Sequence, residues 1–263
     1  MIKSIRALFS VFLQLLSLDL AVFLPTYTKR LIDFFIYVAV NVLVMGYLLT
    51  RVGMPANFGM FIAASCVGIS GRLETFSAIT RLVVDLTGNK IISYDLTLPL
   101  PSWLAVIRIA ISDALRCLSL GIFALPFGAV LVFSQFDAAL FSPFLFVALL
   151  FLNALFYGFF GLFFASFPEN IGEVDMIWMR YLFPMWMMGC FQFSWQTLYG
   201  ASPAIAYLML LNPFVYPVEG MRAAILGQAG SLPFWMCFLA TLGFTIVFGA
   251  IGVRRILKCL DAV

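Results

Sequence analysis

Ala138–Pro168 reads AALFSPFLFVALLFLNALFYGFFGLFFASFP, 31 residues without one charge. A bilayer core about 30 Å thick is crossed by about 20 apolar residues in helix, so this stretch holds a complete span, placed at 140–166. Working outward, the gaps between charges repeat the pattern. Leu31–Thr50 is interrupted only by Asp33 at its edge and Asn41, and Val52–Gly71 is uncharged. Cys117–Phe136 supplies the apolar part of a third span, and Tyr181–Val218 and Ala223–Val253 are again uncharged. The expected fold is an all-α integral membrane protein, a single transmembrane domain over 1–263, with spans at 31–50, 52–71, 105–136, 140–166, 178–199 and 232–254.

Composition requires the same solvent. Of the 263 residues, 64% are hydrophobic and only 10% charged, against roughly 45–50% and 25% in soluble domains. A water-soluble fold has no place to hide that much apolar surface. The net charge of +3 gives little electrostatic support to nucleic-acid binding. Histidine is absent, which removes imidazole general bases and imidazole metal ligands; no metal site is expected. Cys66, Cys117, Cys190, Cys237 and Cys259 are scattered without a CxxC pair and read as small buried hydrophobes. No Gly-x-x-x-x-Gly-Lys-Ser/Thr occurs, so the chain has no phosphate cradle for ATP.

Two segments are not plain spans. Lys3, Arg6, Ser10, Gln14 and Ser17 recur at helical spacing opposite Ile2, Ile5, Leu8, Phe9, Phe12, Leu13 and Leu16. That is the signature of an amphipathic helix, which with a basic polar face belongs in the membrane interface, over 1–24. A secretory signal is the rival, opposed by Asp19 and by the lack of a small-x-small cleavage site. The run Tyr181–Val218 is too long for one crossing and is broken at Gly200, Pro203 and Asn212-Pro213. One span at 178–199 followed by short re-entrant helices over 200–230 is expected. Non-helical backbone at that depth is tolerated where protein or a water-filled cavity satisfies it; a plain loop is the alternative.

With the N-terminus inside, eleven of the fifteen Lys and Arg fall on one side and two on the other. That bias predicts cytoplasmic termini. The inner loop from Arg72 to Trp103 has two helical pieces flanking Gly88-Asn89, a turn-favouring pair, and ends at Pro99-x-Pro101. It is either a docking surface or a connector. In the third span, Asp113 and Arg116 are three apart and can pair, with Arg108 nearby; these groups either wall a polar vestibule or pair at the inner interface. Glu219 and Arg222 form another such pair, serving a gate or a simple helix cap. Phe156, Tyr157, Phe159 and Phe160 crowd the fourth span, where Gly158 and Gly161 permit close helix approach.

Leu211–Gly227, LNPFVYPVEGMRAAILG, resembles the signature of type-2 ABC exporter permeases: Asn-Pro, an aromatic Tyr, an acidic-polar segment, Arg and a closing Leu-Gly. The acidic loop Glu169, Glu173, Asp175 leading to Gly189 and Phe191 is similar to that family's fourth-to-fifth connection, although no proline follows before Pro203. The segment Lys90–Pro101 looks like its coupling helix. The span order, interfacial N-terminal helix and re-entrant hairpin match as well.

The resemblance implies a non-enzymatic transport subunit in the cytoplasmic (inner) membrane, working as a pair, expected to be a homodimer, with two copies of a separate ABC ATPase that uses ATP and Mg. It implies an ATPase-coupling segment of Gly88, Asn89, Lys90, Ile91, Ile92, Tyr94 and Asp95, with Lys90, Tyr94 and Asp95 as contacts. It implies an outer gate at Asn212, Pro213, Tyr216, Glu219 and Arg222, and export of an amphipathic or lipid-linked glycan or drug; Pro217 is an added proline that departs from the family's pattern, and the gate helix is expected to start there, with Pro217 in its first turn. No cofactor is expected on this chain. The alternatives are a membrane-embedded lipid-modifying enzyme, which would need clustered acids or an activated nucleophile, and a scaffold for membrane assembly.

Overall fold

The structure is a computed structural model describing residues 2–55, 57–89 and 91–261. Lys90 lies outside the described residues, as do the side chains of Lys3, Arg6 and Asn89. The elements in chain order are α1 (Ile2–Asn41), α2 (Leu49–Arg51), α3 (Phe58–Gly68), α4 (Arg72–Val84), α5 (Ile91–Asp95), α6 (Ser102–Leu131) and α7 (Pro143–Ala165). They continue with α8 (Gly172–Ile177), α9 (Phe183–Met187), α10 (Trp195–Ala201), α11 (Pro203–Met209), α12 (Val215–Leu226) and α13 (Phe234–Asp261). The described residues are all-helical, without a strand.

Among the described residues, four helical stretches are long and apolar enough to cross a membrane: Leu8–Arg51, Ser102–Leu131, Pro143–Ala165 and Phe234–Leu260. Helix α7 is the axis of the bundle, packed against α6, α13, α4, α12 and α3. Its Phe156, Tyr157 and Phe160 are fully buried and stack with Phe214 and Phe248 in one aromatic cluster. Helices α1 and α13 lie outside it and leave Val22, Ile36 and Val40, and Leu239, Ile246 and Val247, more than half exposed or close to it. Such sides are normal against lipid and would be an aggregation-prone patch in water. Among the two glycines of α7, only Gly158 is needed for contact: a Cβ there would stand 2.2 Å from the Ala110 carbonyl oxygen, whereas at Gly161 the nearest atom is 3.5 Å away.

The interfacial helix expected over 1–24 is not a separate element. Helix α1 continues without a break through a π-helical stretch, Val42–Leu48, into α2. At 1.5 Å per residue the whole rod is about 75 Å long, more than twice a hydrocarbon core. Pro25 sits inside it, tolerated where neighbouring groups re-satisfy the freed backbone. The π-helical stretch brings Gly46 onto Gly59, where an added Cβ would meet the Gly59 Cα at 2.4 Å.

Two of the six expected spans are not continuous helices. The segment 52–71 contains only the short helix α3, because side chains from elsewhere take its end groups. The Gln135 amide oxygen accepts from the Met60 N–H at 3.0 Å at one end. At the other, Asn153 and Tyr157 of α7 donate to the Gly68 carbonyl at 2.9 and 3.1 Å. A helix end otherwise leaves such groups orphaned, so capture by α7 lets α3 stop in the interior. Gly68 and Gly71 then pass too close to Val218 and to the Tyr157 ring for any side chain. The expected span 178–199 stops at Met187, and the reason lies in the site below.

Candidate functional site

After α9 the chain turns through Met188–Ser194, with Cys190 at φ 56, the sole described non-glycine residue with positive φ. A left-handed residue there costs strain that its surroundings must over-determine. They do so through Arg222 of α12, which is fully buried. Its guanidinium donates to the carbonyls of Cys190, Phe191 (2.8 Å) and Phe193 (3.1 Å), to Ser65 Oγ of α3 (2.8 Å) and to Glu219 (2.9 Å). Its face covers the Phe61 ring at 3.7 Å. Every planar donor of the fork has a partner, the geometry arginine is suited to.

Glu219, also fully buried, closes the other half. One oxygen accepts from the Trp195 N–H at 2.9 Å and the other from the Leu232 N–H at 3.1 Å. The pair expected from the i, i+3 spacing is therefore a node joining α3, the 188–194 turn, the start of α10, α12 and the chain entering α13. Asn212 and Tyr216 hold the bend before α12: Asn212 donates to the Met185 carbonyl at 2.5 Å and accepts from the Phe214 N–H, and Tyr216 donates to the Leu210 carbonyl at 2.6 Å. Pro217 falls in the first turn of α12, which begins at Val215. Ser194 caps α10 through Thr197, and Trp195 stacks on Tyr199 and donates to the Ala206 carbonyl, binding α10 to α11.

At the connector, the three charges of the third span belong to a wider ionic set. Arg108 pairs with Asp19 of α1 at 3.1 Å and with Asp95. Asp113 takes its closest contact, 2.6 Å, from Arg81 of α4, with Arg116 farther off at 3.9 Å. Arg116 also donates to the Asp19 carbonyl, and Glu74 lies 3.8 Å from Arg30 and 4.0 Å from Arg81. Asp19, Glu74 and Arg81 were not read as pair partners from the sequence; Asp19–Arg108, Glu74–Arg30 and Arg81–Asp113 each join two helices, so spacing along one helix gives no signal for them. Asp95 is buried against Arg108. Burial raises its carboxyl above the usual range, against the pull of Arg108.

The rest of the segment divides by exposure. Asp85 accepts from the Ile91 and Ile92 N–H groups at 2.8 and 2.9 Å, building the turn around Gly88-Asn89. Ile92 is buried, while Ile91 and Tyr94 are exposed. A groove of about 400 Å³ separates Asp85–Thr87 and Ile92 from Phe167–Glu169 and from Arg255 and Cys259 of α13. It brings the connector beside the start of the acidic loop, whose Glu173 caps Glu169 and Asn170.

No family model, curated protein or solved structure matches this chain. Its class follows from the fold: several long apolar helices around a buried core make it a multi-pass helical membrane protein.

Proposed function

We propose that the chain is the permease subunit of an ABC exporter, working as a pair with two copies of a separate ATPase that binds ATP and Mg. Its termini face the cytoplasm, and its six crossings are the four long helices plus two broken ones, one through α3 and one through α8–α9. Broken helices at membrane depth are where transporters expose backbone to a cavity. The observation that carries this reading is the node of Glu219 and Arg222. It folds α10, α11 and α12 back onto the bundle as one body, with Asn212 and Tyr216 at its hinge, in the segment whose sequence resembles the exporter signature. An ordered connector supports it at the other end: Asp95–Arg108–Asp19 ties α5 to α6 and α1, a route by which a push on the connector reaches two long helices. An amphipathic or lipid-linked cargo fits the aromatic interior.

The test is co-purification in detergent with a co-expressed ABC ATPase, comparing the parent with Ile91→Glu and Tyr94→Arg, both on the exposed side of the connector. The parent is expected to carry a stoichiometric ATPase, and each variant to lose it while its own melting temperature stays within about 2 °C, as for surface changes. An ATPase retained by both variants moves the contact elsewhere on the chain. No association with the parent under any condition sinks the permease reading.

A further inference from the structure

Arg72 is the buried cation without an acid. Arg108, Arg116 and Arg222 each lie within 4 Å of a carboxylate, whereas Arg72, nine-tenths buried at the start of α4, has no such partner among the described residues. Its guanidinium sits 4.0 Å from the Trp186 ring centroid, 5.2 Å from that of Tyr37 and 5.3 Å from that of Trp178. The rings offset part of the charge and take none of its in-plane N–H bonds. Arg72 and Trp186 both turn N–H groups toward the Tyr37 hydroxyl, yet Arg72 Nε, Trp186 Nε1 and Tyr37 Oη are all buried without a hydrogen bond. Two of these groups can only donate.

Three unsatisfied donors around one uncompensated cation describe half of an interaction. Buried polar groups left this way cost free energy, and a buried water can accept a bond but cannot neutralise the charge. A phosphate group does both, offering several strong acceptor oxygens to an arginine fork. Against the cluster, the exposed Phe183 ring of α9 packs on Trp186 with centroids 5.7 Å apart, an apolar contact for a hydrocarbon chain. We propose that Arg72, Tyr37 and Trp186 form a binding site for the phosphate of an amphipathic ligand. The site stands on this donor cluster alone and does not require the transport reading.

The experiment is equilibrium binding of radiolabelled hexyl phosphate to the purified full chain in a neutral detergent, corrected for empty micelles. Saturable binding is expected, not displaced by hexanol. Arg72→Gln should weaken it at least tenfold, and Tyr37→Phe and Trp186→Phe, each removing one donor, by roughly tenfold each for a bond to a charged group. Inorganic phosphate competing as strongly as hexyl phosphate identifies a free anion as the source, and weak competition identifies a lipid-like one; both support the phosphate site. Absence of saturable binding overturns it, as does binding unchanged in Arg72→Gln. If that variant does not fold, unchanged binding in both aromatic variants overturns it equally.

Discussion

Replacing Arg222 with Met keeps the bulk of the side chain and removes the side-chain bonds to the Cys190, Phe191 and Phe193 carbonyls. Breaking a buried ion pair from one side costs roughly 3–5 kcal/mol. Here the loss also frees the Cys190, Phe191 and Phe193 carbonyls, at about 1–3 kcal/mol for each left dry; these costs overlap and do not add. Taking the lower bound of the pair alone, opening of the turn becomes at least about a hundredfold more frequent, since about 1.4 kcal/mol is tenfold. Cys190 is itself the reporter: its thiol is fully buried, as is Cys117 on α6, whereas Cys259 is exposed. In a Cys259→Ser background, maleimide labelling followed by peptide mass spectrometry should show Cys190 reacting at least a hundredfold faster in Arg222→Met, with Cys117 unchanged. A double change of Arg222→Met with Glu219→Leu should not restore protection. An isolated ion pair replaced by apolar groups often recovers its stability, but these two side chains bind backbone groups that leucine and methionine cannot serve. Cys190 labelling no faster than in the parent would refute the node, and simultaneous labelling of Cys117 would show global unfolding instead.

Gly158→Ala drives a methyl into the Ala110 carbonyl and should destabilise the chain by about 1–3 kcal/mol as overpacking does, while Gly161→Ala should leave thermal melting in detergent nearly unchanged. Asp95 has a carboxyl raised by burial, so below the ordinary carboxylate range it contributes no charge cost, and stability falls as pH rises through its raised native value. Asp95→Asn should therefore remove one component of that downward slope, which a melting series from pH 4 to 8 on parent and variant measures; identical slopes would refute it. Gln135→Leu removes the acceptor on the Met60 N–H and should cost about 1–3 kcal/mol, read as faster amide exchange at the start of α3.

The apolar content and the uncharged gaps were enough to find the four long helices, because crossing a bilayer is a demand on length and hydropathy that a single stretch must meet alone. They were not enough for 52–71 and 178–199, where hydropathy is just as high. There the outcome depends on which distant side chain reaches a backbone end. Asn153 and Tyr157 on α7 end α3, and Arg222 on α12 ends the helix after Met187. Gly68, Gly71 and Gly189 were the local marks of both breaks; a Cβ at each would collide with a neighbouring element. The i, i+3 pairs were legible because helix geometry makes neighbours of such residues. Asp113 shows the limit, since its nearest cation is Arg81 on another helix.

Polar side chains in this chain therefore fall into two kinds. Glu219, Arg222, Asn212, Asn153 and Gln135 are spent on backbone groups, replacing hydrogen bonds that broken helices give up. A protein in lipid has no water to do this, so each helix break needs a dedicated side chain, and the breaks can stand only where those side chains are anchored. Arg108, Asp95, Asp19, Arg81 and Asp113 are spent on one another, between α1, α4, α6 and the connector. Such pairs cost about as much in desolvation as they return, so their contribution is to register: they fix how the connector meets the long helices. Arg72 belongs to neither kind. Its charge has only aromatic rings against it and its Nε makes no hydrogen bond, and a group that is costly to bury and unmatched by an acid within the fold is where an external partner gains most by binding.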